Sequence, residues 1–313
     1  MSSVISDRHF HDEKAAYDYV EARIWPNGPT CPHCGNADAS RIRLMAGKST
    51  RIGVRQCNEC RKPFTVKVGT IFESSHVPLR LWLQAIHLVC SSKKGISANQ
   101  LHRILGVTLK TAWFMGHRIR EAMRDGGLSL LGGGGTVEID ETIIGRVEGA
   151  PKKGPALKGR SGYRNTVLTV VERGGSARSF HVDSATIANM KPIIQANVAR
   201  EAAVMTDEYT AYREIGAGFA SHDTVNHGRD EYVRREGDKL VTTNTVEGFY
   251  SIFKRGMKGI YQHCAEKHLH RYLAEFDFRY SNRVRLGVND VARADRALKG
   301  TVGKRLTYQT TAN

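Results

Sequence analysis

The stretch 243-TNTVEGFYSIFKRGMKG-259 reads as one amphipathic helix. At 3.6 residues per turn, Asn244, Glu247, Ser251 and Lys254 share a narrow face, while Val246, Phe249, Phe253 and Met257 fall opposite. The polar stripe therefore carries a carboxylate and, two turns on, a lysine. A carboxylate on a wet helix face means little alone. Upstream, however, two short apolar strands end in acids, Asp140 in TVEID and Asp207 in AAVMTD. The expectation is that Asp140, Asp207 and the Asn244/Glu247 helix converge on one pair of divalent cations.

Working back from that helix, residues 136–290 alternate in pattern. Strands are expected over 136–145, 166–172 and 179–183, with Arg173-Gly174-Gly175 as a hairpin turn. A crossover helix over 185–199, a buried strand over 202–207 and a helix over 209–215 follow. Antiparallel strands feeding into a helix-linked parallel strand make a mixed α/β sheet. If the strands ending in Asp140 and Asp207 are neighbours, the two carboxylates meet at one sheet edge. The helix 268–280 carries Leu269, Tyr272, Leu273 and Phe276 at helical spacing and reads as core.

Each acid alone is weak. Asp207 could simply cap the helix after it, and Glu141, Asp183 and Glu208 compete for every role. As a set they suit phosphodiester chemistry. In-line displacement builds charge on the attacking and leaving oxygens, and two Mg²⁺ or Mn²⁺ ions roughly 3.5–4 Å apart stabilise both. Such ions take hard oxygen ligands and keep some water, so three acidic or amide side chains suffice.

The charge balance points to the same partner. With 47 Lys plus Arg against 31 Asp plus Glu, the formal charge is +16 and the pI about 9.7. A polyanion is the simplest partner for such an excess. The first thirty residues are charged and lack the apolar core of a signal peptide, and no apolar run is long enough to span a membrane. A cytoplasmic, nucleoid-associated protein is expected.

Nearer the N-terminus, a short helix over 11–23 ends at Pro26-Asn27-Gly28-Pro29. Two CxxC knuckles follow, Cys31/Cys34 and Cys57/Cys60. Two thiolates on each of two tight turns close a tetrahedral site with no open position, so one structural zinc is expected, with binding coupled to folding. Cys90 and Cys264 have no such spacing and read as buried small apolar residues. Next, an apolar helix over 78–89 precedes helices at 98–105 and 109–123, with Ser97 and Thr108 as N-caps and a Gly-Val-Thr turn between. These are helix-turn-helix proportions. The second helix offers Lys110, Trp113, His117, Arg118, Arg120 and Arg124, and Lys110, Arg118 and Arg120 are the candidate DNA contacts. The glycines at 126–127 and 132–135 suggest a joint.

The expected organisation is thus a multidomain α+β and α/β chain. A zinc ribbon occupies 1–70, a helix-turn-helix-like segment 71–131, a catalytic domain 132–290 and a basic tail 291–313, which has no evident role. The stretches GTIFESSHVPLRLWLQAI, KKGISANQLHRILGV, IDETIIGR, TDEYTAY, VNHGRDEYVR, TTNTVEGFYSIFKRGMKGIYQHC and GKRLTY, together with the two knuckles, resemble bacterial insertion-sequence transposases of the ISXO type. The resemblance implies an RNase H-like DDE domain that cleaves and transfers DNA strands with Mg²⁺ or Mn²⁺. It carries over Asp140 and Asp207 as the first two metal ligands. The family pattern ends in DDNK or DDEK, and this chain has both Asn244 and Glu247. Glu247 is the stronger ligand because it brings charge, whereas Asn244 offers a carbonyl oxygen. Lys254 is the phosphate-holding lysine, with Arg255 and Lys258 as alternatives. The basic stretch 146–164, with Lys152, Lys153 and Arg160, suits DNA beside the site. His227 reads as structural. The resemblance also implies double-stranded DNA partners, both terminal repeats and target, and a homodimer or higher oligomer on them. The competing reading is a non-catalytic DNA-binding regulator descended from such an enzyme.

Overall fold

The computed structural model describes residues 3–124, 126, 129–147 and 164–307. It divides into two compact units, one built from residues 1–124 together with 288–313, the other from 125–287.

In the first unit, helix α1 (Glu13–Ile24) is capped by Asp12, whose side chain accepts from the Ala15 amide. Three short strands follow, β1 (Ile42–Leu44), β2 (Arg55–Cys57) and β3 (Pro63–Phe64), all antiparallel in the order β1-β2-β3. Their small core is Ile42, Phe64 and the buried Cys31 and Cys57, with Trp25 edge-on to Phe64. Arg55 ties this module to α1 through the Glu21 carboxylate at 2.5 Å.

Helices α2 (Leu79–Ser91), α3 (Ala98–Leu105) and α4 (Leu109–Ala122) come next. Pro78 cannot cap α2, and Glu13 does so from α1, accepting the Leu79 and Arg80 amides at 2.6 and 3.1 Å. Ser97 and Thr108 cap α3 and α4 as expected, each accepting an amide at 3.1 Å. Gly106 closes α3 at φ +66°, a left-handed conformation that favours glycine. Helix α9 (Asp290–Lys299) lies on α1, α2 and α4. The chain's last segment is therefore part of this unit's core, with Ala297 and Leu298 buried.

The second unit is built on a five-stranded sheet in the order β6-β5-β4-β7-β8. Strands β4 (Thr136–Ile144), β5 (Asn165–Glu172) and β6 (Ala177–Val182) form an antiparallel meander, and β7 (Ala203–Thr206) and β8 (Ser221–Thr224) extend it in parallel from β4. Helices α5 (Ile187–Asn197) and α6 (Ala211–Gly216) cover one face over Val137, Ile139, Leu168, Val170 and Val204. The other face holds α7 (Asn244–Gly256) and α8 (Leu269–Ser281), with Val246, Phe249, Phe253, Leu273 and Phe276 against Val167 and Val171. Burying each such side chain contributes about 1.5–3 kcal/mol. A polar hairpin, β9 (Val233–Glu236) and β10 (Lys239–Thr242), leads directly into α7.

Candidate active site and metal centre

The alternation of β4 decides which groups face which helix. Even-numbered residues point toward α7 and odd-numbered ones toward α5 and α6. Glu138 and Asp140 therefore share the α7 face, and Glu141 turns to the other side, where the Tyr212 hydroxyl donates to its carboxylate. Glu138 of β4 pairs with Met205 of β7 in parallel register. Continued two residues on, that register sets Asp140 beside Asp207. Asp140, midway along β4, and Asp207, just past the end of β7, are brought near each other because the two strands are neighbours.

Asp140 is the electrostatic centre of the cluster. Burial, with the charges of Glu141, Asp207 and Glu247 added, pushes its carboxyl up to about 8, against a counteracting bond from the Glu141 amide. Burial also raises Glu141 and Asp207 above the usual carboxylate range. Asp207 accepts the Tyr209 amide at 3.0 Å, a local turn bond. It is not the N-cap of α6, a position held by Thr210.

The helix stripe falls as its spacing requires. Val246, Phe249 and Phe253 are buried, Asn244 at the first turn is exposed, and Glu247 is half-buried. Glu247 accepts the Thr243 hydroxyl at 2.9 Å and stands 3.4 Å from His227 Nε2. His227 is held near by Glu208, which accepts the His227 and Gly228 amides at 2.9 and 3.1 Å. Glu208 is thus occupied with that turn, and Asp183 is exposed on the edge strand's end. Lys254 lies over the Tyr250 ring at 5.8 Å, Arg255 bonds Ser251 one turn back, and Lys258 is exposed. Lys152, Lys153 and Arg160 lie outside the described residues.

The four cysteines form a second, separate centre. Cys31 and Cys60 sulfurs are 3.7 Å apart, as are those of Cys34 and Cys57, and all four lie within 4.8 Å of one another. Four sulfurs about 2.3 Å from one zinc stand about 3.8 Å apart, so the spacing fits a tetrahedral ion. The amides of Cys60 and Glu59 and the Asn36 side chain lower the Cys57 thiol, while the neighbouring sulfurs raise Cys34, so the four sulfurs hold their protons unevenly. Among the described residues no other set of three or more His, Cys, Asp or Glu groups is drawn as close. The carboxylates at Asp140, Asp207 and Glu247 stand further apart, with Asp140 within reach of the charges of both others.

Residues 131–281 match the ISXO2-like transposase domain, and residues 11–63 match the transposase zinc-ribbon domain. The chain therefore carries an ISXO2-like transposase domain and, ahead of it, a transposase zinc ribbon. Similar over 283 residues is an "Uncharacterized protein in transposable element ISH50" of Halobacterium salinarum, 28% identical, covering 86% of this chain and 91% of the relative. No solved structure matches. The ISXO2-like domain thus coincides with the five-stranded sheet, its flanking helices and all three acidic positions.

Three placements change the sequence reading of the helical segment. His117, Arg118 and Arg120 are buried in α4 and turn away from solvent. Arg118 donates to the carbonyls of Ile71, Glu73 and Leu306, so its charge serves the unit's interior. Lys110, at the start of α4, is exposed together with Gln100 and Arg103 of α3. Cys90 is buried as expected, whereas Cys264 is only half-buried. No helix among the described residues is long and apolar enough to cross a membrane.

Proposed function

We propose that this chain is a DNA transposase that binds insertion-sequence ends and catalyses metal-dependent strand cleavage and strand transfer. The observation that carries the proposal is that Asp207 and Glu247 lie within charge range of the half-buried Asp140, on the one sheet face that also carries α7. The mixed sheet with helices on both faces supports the RNase H-like fold that the family resemblance implies.

The donor set suits Mg²⁺ or Mn²⁺. Three carboxylates offer hard oxygens, and divalent charge would offset what raises Asp140, which is burial first and then the charges of Glu141, Asp207 and Glu247. Bound there, such ions would lower the pKa of the attacking water or 3′ hydroxyl and stabilise the leaving oxygen. Asp140 would supply a fixed oxygen from the middle of β4, and Asp207 another from just past the end of β7. Glu247 supplies the third from α7, and the Thr243 hydroxyl orients its carboxylate. Lys254, with Arg255 beside it on α7 and Lys258 just past the helix end, provides positive charge where phosphates would run. The exposed polar edge of α3 and the start of α4 (Gln100, Arg103, Lys110) is the surface offered to a DNA groove, and the zinc ribbon is a folded basic module beside it in the same unit. Joining ends requires both to be held together, so at least two copies act on DNA.

The test is a joining assay with terminal sequences flanking the gene, Mg²⁺ and a second duplex. Ends joined to the second duplex support the proposal. Ends only hydrolysed by water point to a nuclease, and tight end binding with no cleavage points to the regulator.

A further inference from the structure

We infer that Glu138 is a positioning residue of the active site, setting the distance between Asp140 and the α7 residues that work with it. The inference rests on the catalytic reading above. Glu138 lies two residues before Asp140 on the same strand face, and none of its side chain is exposed to solvent. A glutamate so placed must find donors for its oxygens. It finds four: Arg173 Nε at 2.6 Å and the Thr245 hydroxyl at 2.7 Å on Oε1, and the Thr245 and Val246 amides at 2.7 and 3.0 Å on Oε2.

Those two amides belong to the first turn of α7, whose orphan donors a local cap would ordinarily satisfy. The N-cap residue, Thr243, makes no cap bond, and its hydroxyl is given to Glu247. The cap is supplied by the strand that carries Asp140. A negative charge at a helix N-terminus is also favoured by the helix dipole. Arg173 completes the clamp, donating to the Leu240 and Thr242 carbonyls at 2.7 and 2.8 Å and so holding the chain just before the helix. One ion pair with a fully buried carboxylate therefore locks the last strand, the first turn of α7 and β4 into a single geometry. Asn244 sits inside that turn and Glu247 one turn on, so their placement relative to Asp140 is fixed here.

The experiment uses the full-length, zinc-loaded protein and compares Glu138→Gln, Thr245→Val and Asp140→Asn with the native chain. Mn²⁺ affinity is read by the EPR signal of free ion, and kcat and KM for end joining are read separately. Glu138→Gln keeps the side chain's shape but turns a donor toward donors. It should weaken Mn²⁺ binding by roughly 10–100-fold and lower kcat to a similar degree, as loss of groups that orient metal ligands does. KM for DNA ends should stay within about twofold, and excess Mn²⁺ should recover part of kcat. Thr245→Val removes one donor without disturbing the amides and should show the same pattern at a severalfold level, which keeps the test valid if Glu138→Gln fails to fold. Asp140→Asn should lose both Mn²⁺ binding and joining. If it does, and the Glu138 and Thr245 variants melt earlier while retaining native Mn²⁺ affinity and kcat, Glu138 is merely structural and the inference falls. If Asp140→Asn retains both activities, the catalytic reading itself fails and takes the inference with it.

Discussion

Tyr250 donates its hydroxyl to the main-chain carbonyl of Asp140 at 2.6 Å, and shares it with the Val167 carbonyl at 3.2 Å. The helix bearing Glu247 is thereby joined to the strand bearing Asp140 at the acidic residue itself. The phenol is fully buried, and its ionisation is pushed well above the ordinary range, by burial first and then by the Asp140 charge. It remains a donor at any working pH. Tyr250→Phe should leave buried carbonyls without that donor and cost about 1–3 kcal/mol of the second unit's stability. Thermal unfolding should show a drop of several degrees confined to that unit, with Mg²⁺-dependent joining reduced at limiting Mg²⁺.

Zinc removal should act on the other unit. The ribbon strands are two or three residues long and their core is a handful of side chains, too little to fold unaided. A zinc-selective chelator should release residues 25–70 to proteolysis while the cooperative transition of the sheet unit stays where it was. A matching loss of the sheet transition would contradict independent folding.

The C-terminal segment should prove structural. Arg293 of α9 is buried and donates to the carbonyls of Cys90 and Val288 at 2.8 and 3.2 Å and to Asp290 at 2.6 Å. Arg293→Met should leave those carbonyls unpaired and lower the first unit's stability by about 1–3 kcal/mol. Urea titration monitored by tryptophan fluorescence reads this directly, because Trp25, Trp82 and Trp113 all lie in that unit.

Acid should loosen the same unit. Burial lowers the His87 pKa below its ordinary 6.5, with Asp290 and Asp7 pulling in the opposite direction. A histidine depressed in the folded state contributes stability above pH 6.5 that is lost as the pH falls through 6.5 and below. Urea midpoints should therefore decline from pH 7.5 to 5.5, and His87→Gln should flatten that decline.

Much of this architecture was legible in the chain. The CxxC knuckles announce their ion by spacing, Ser97 and Thr108 announce their helices, and the apolar runs before Asp140 and Asp207 announce buried strands. That Asp140 and Asp207 meet depended on β4 and β7 pairing, which the alternating pattern allowed but did not dictate. Arg118 misled because a cation on a helix looks the same whether it faces a phosphate or three carbonyls brought from distant parts of the chain, and Arg120 is buried on the same helix. Glu138 looked like an ordinary polar residue in an alternating strand, and its donors lie 35 residues away at Arg173 and 107 away at Thr245. Local pattern gives elements, and long-range satisfaction of charge decides which cations and anions remain for chemistry.

The most direct test of the central claim is Mg²⁺-dependent end joining by the native chain beside Asp140→Ala, Asp207→Ala, Asn244→Ala and Glu247→Gln, with DNA-end affinity measured in parallel. The account predicts joining by the native protein and by Asn244→Ala. It predicts loss of joining by at least about 100-fold in the other three, with end affinity nearly unchanged. Native-level joining by Glu247→Gln alongside an inactive Asn244→Ala would give the third position to Asn244, and joining retained by Asp140→Ala or Asp207→Ala would contradict the carboxylate site altogether.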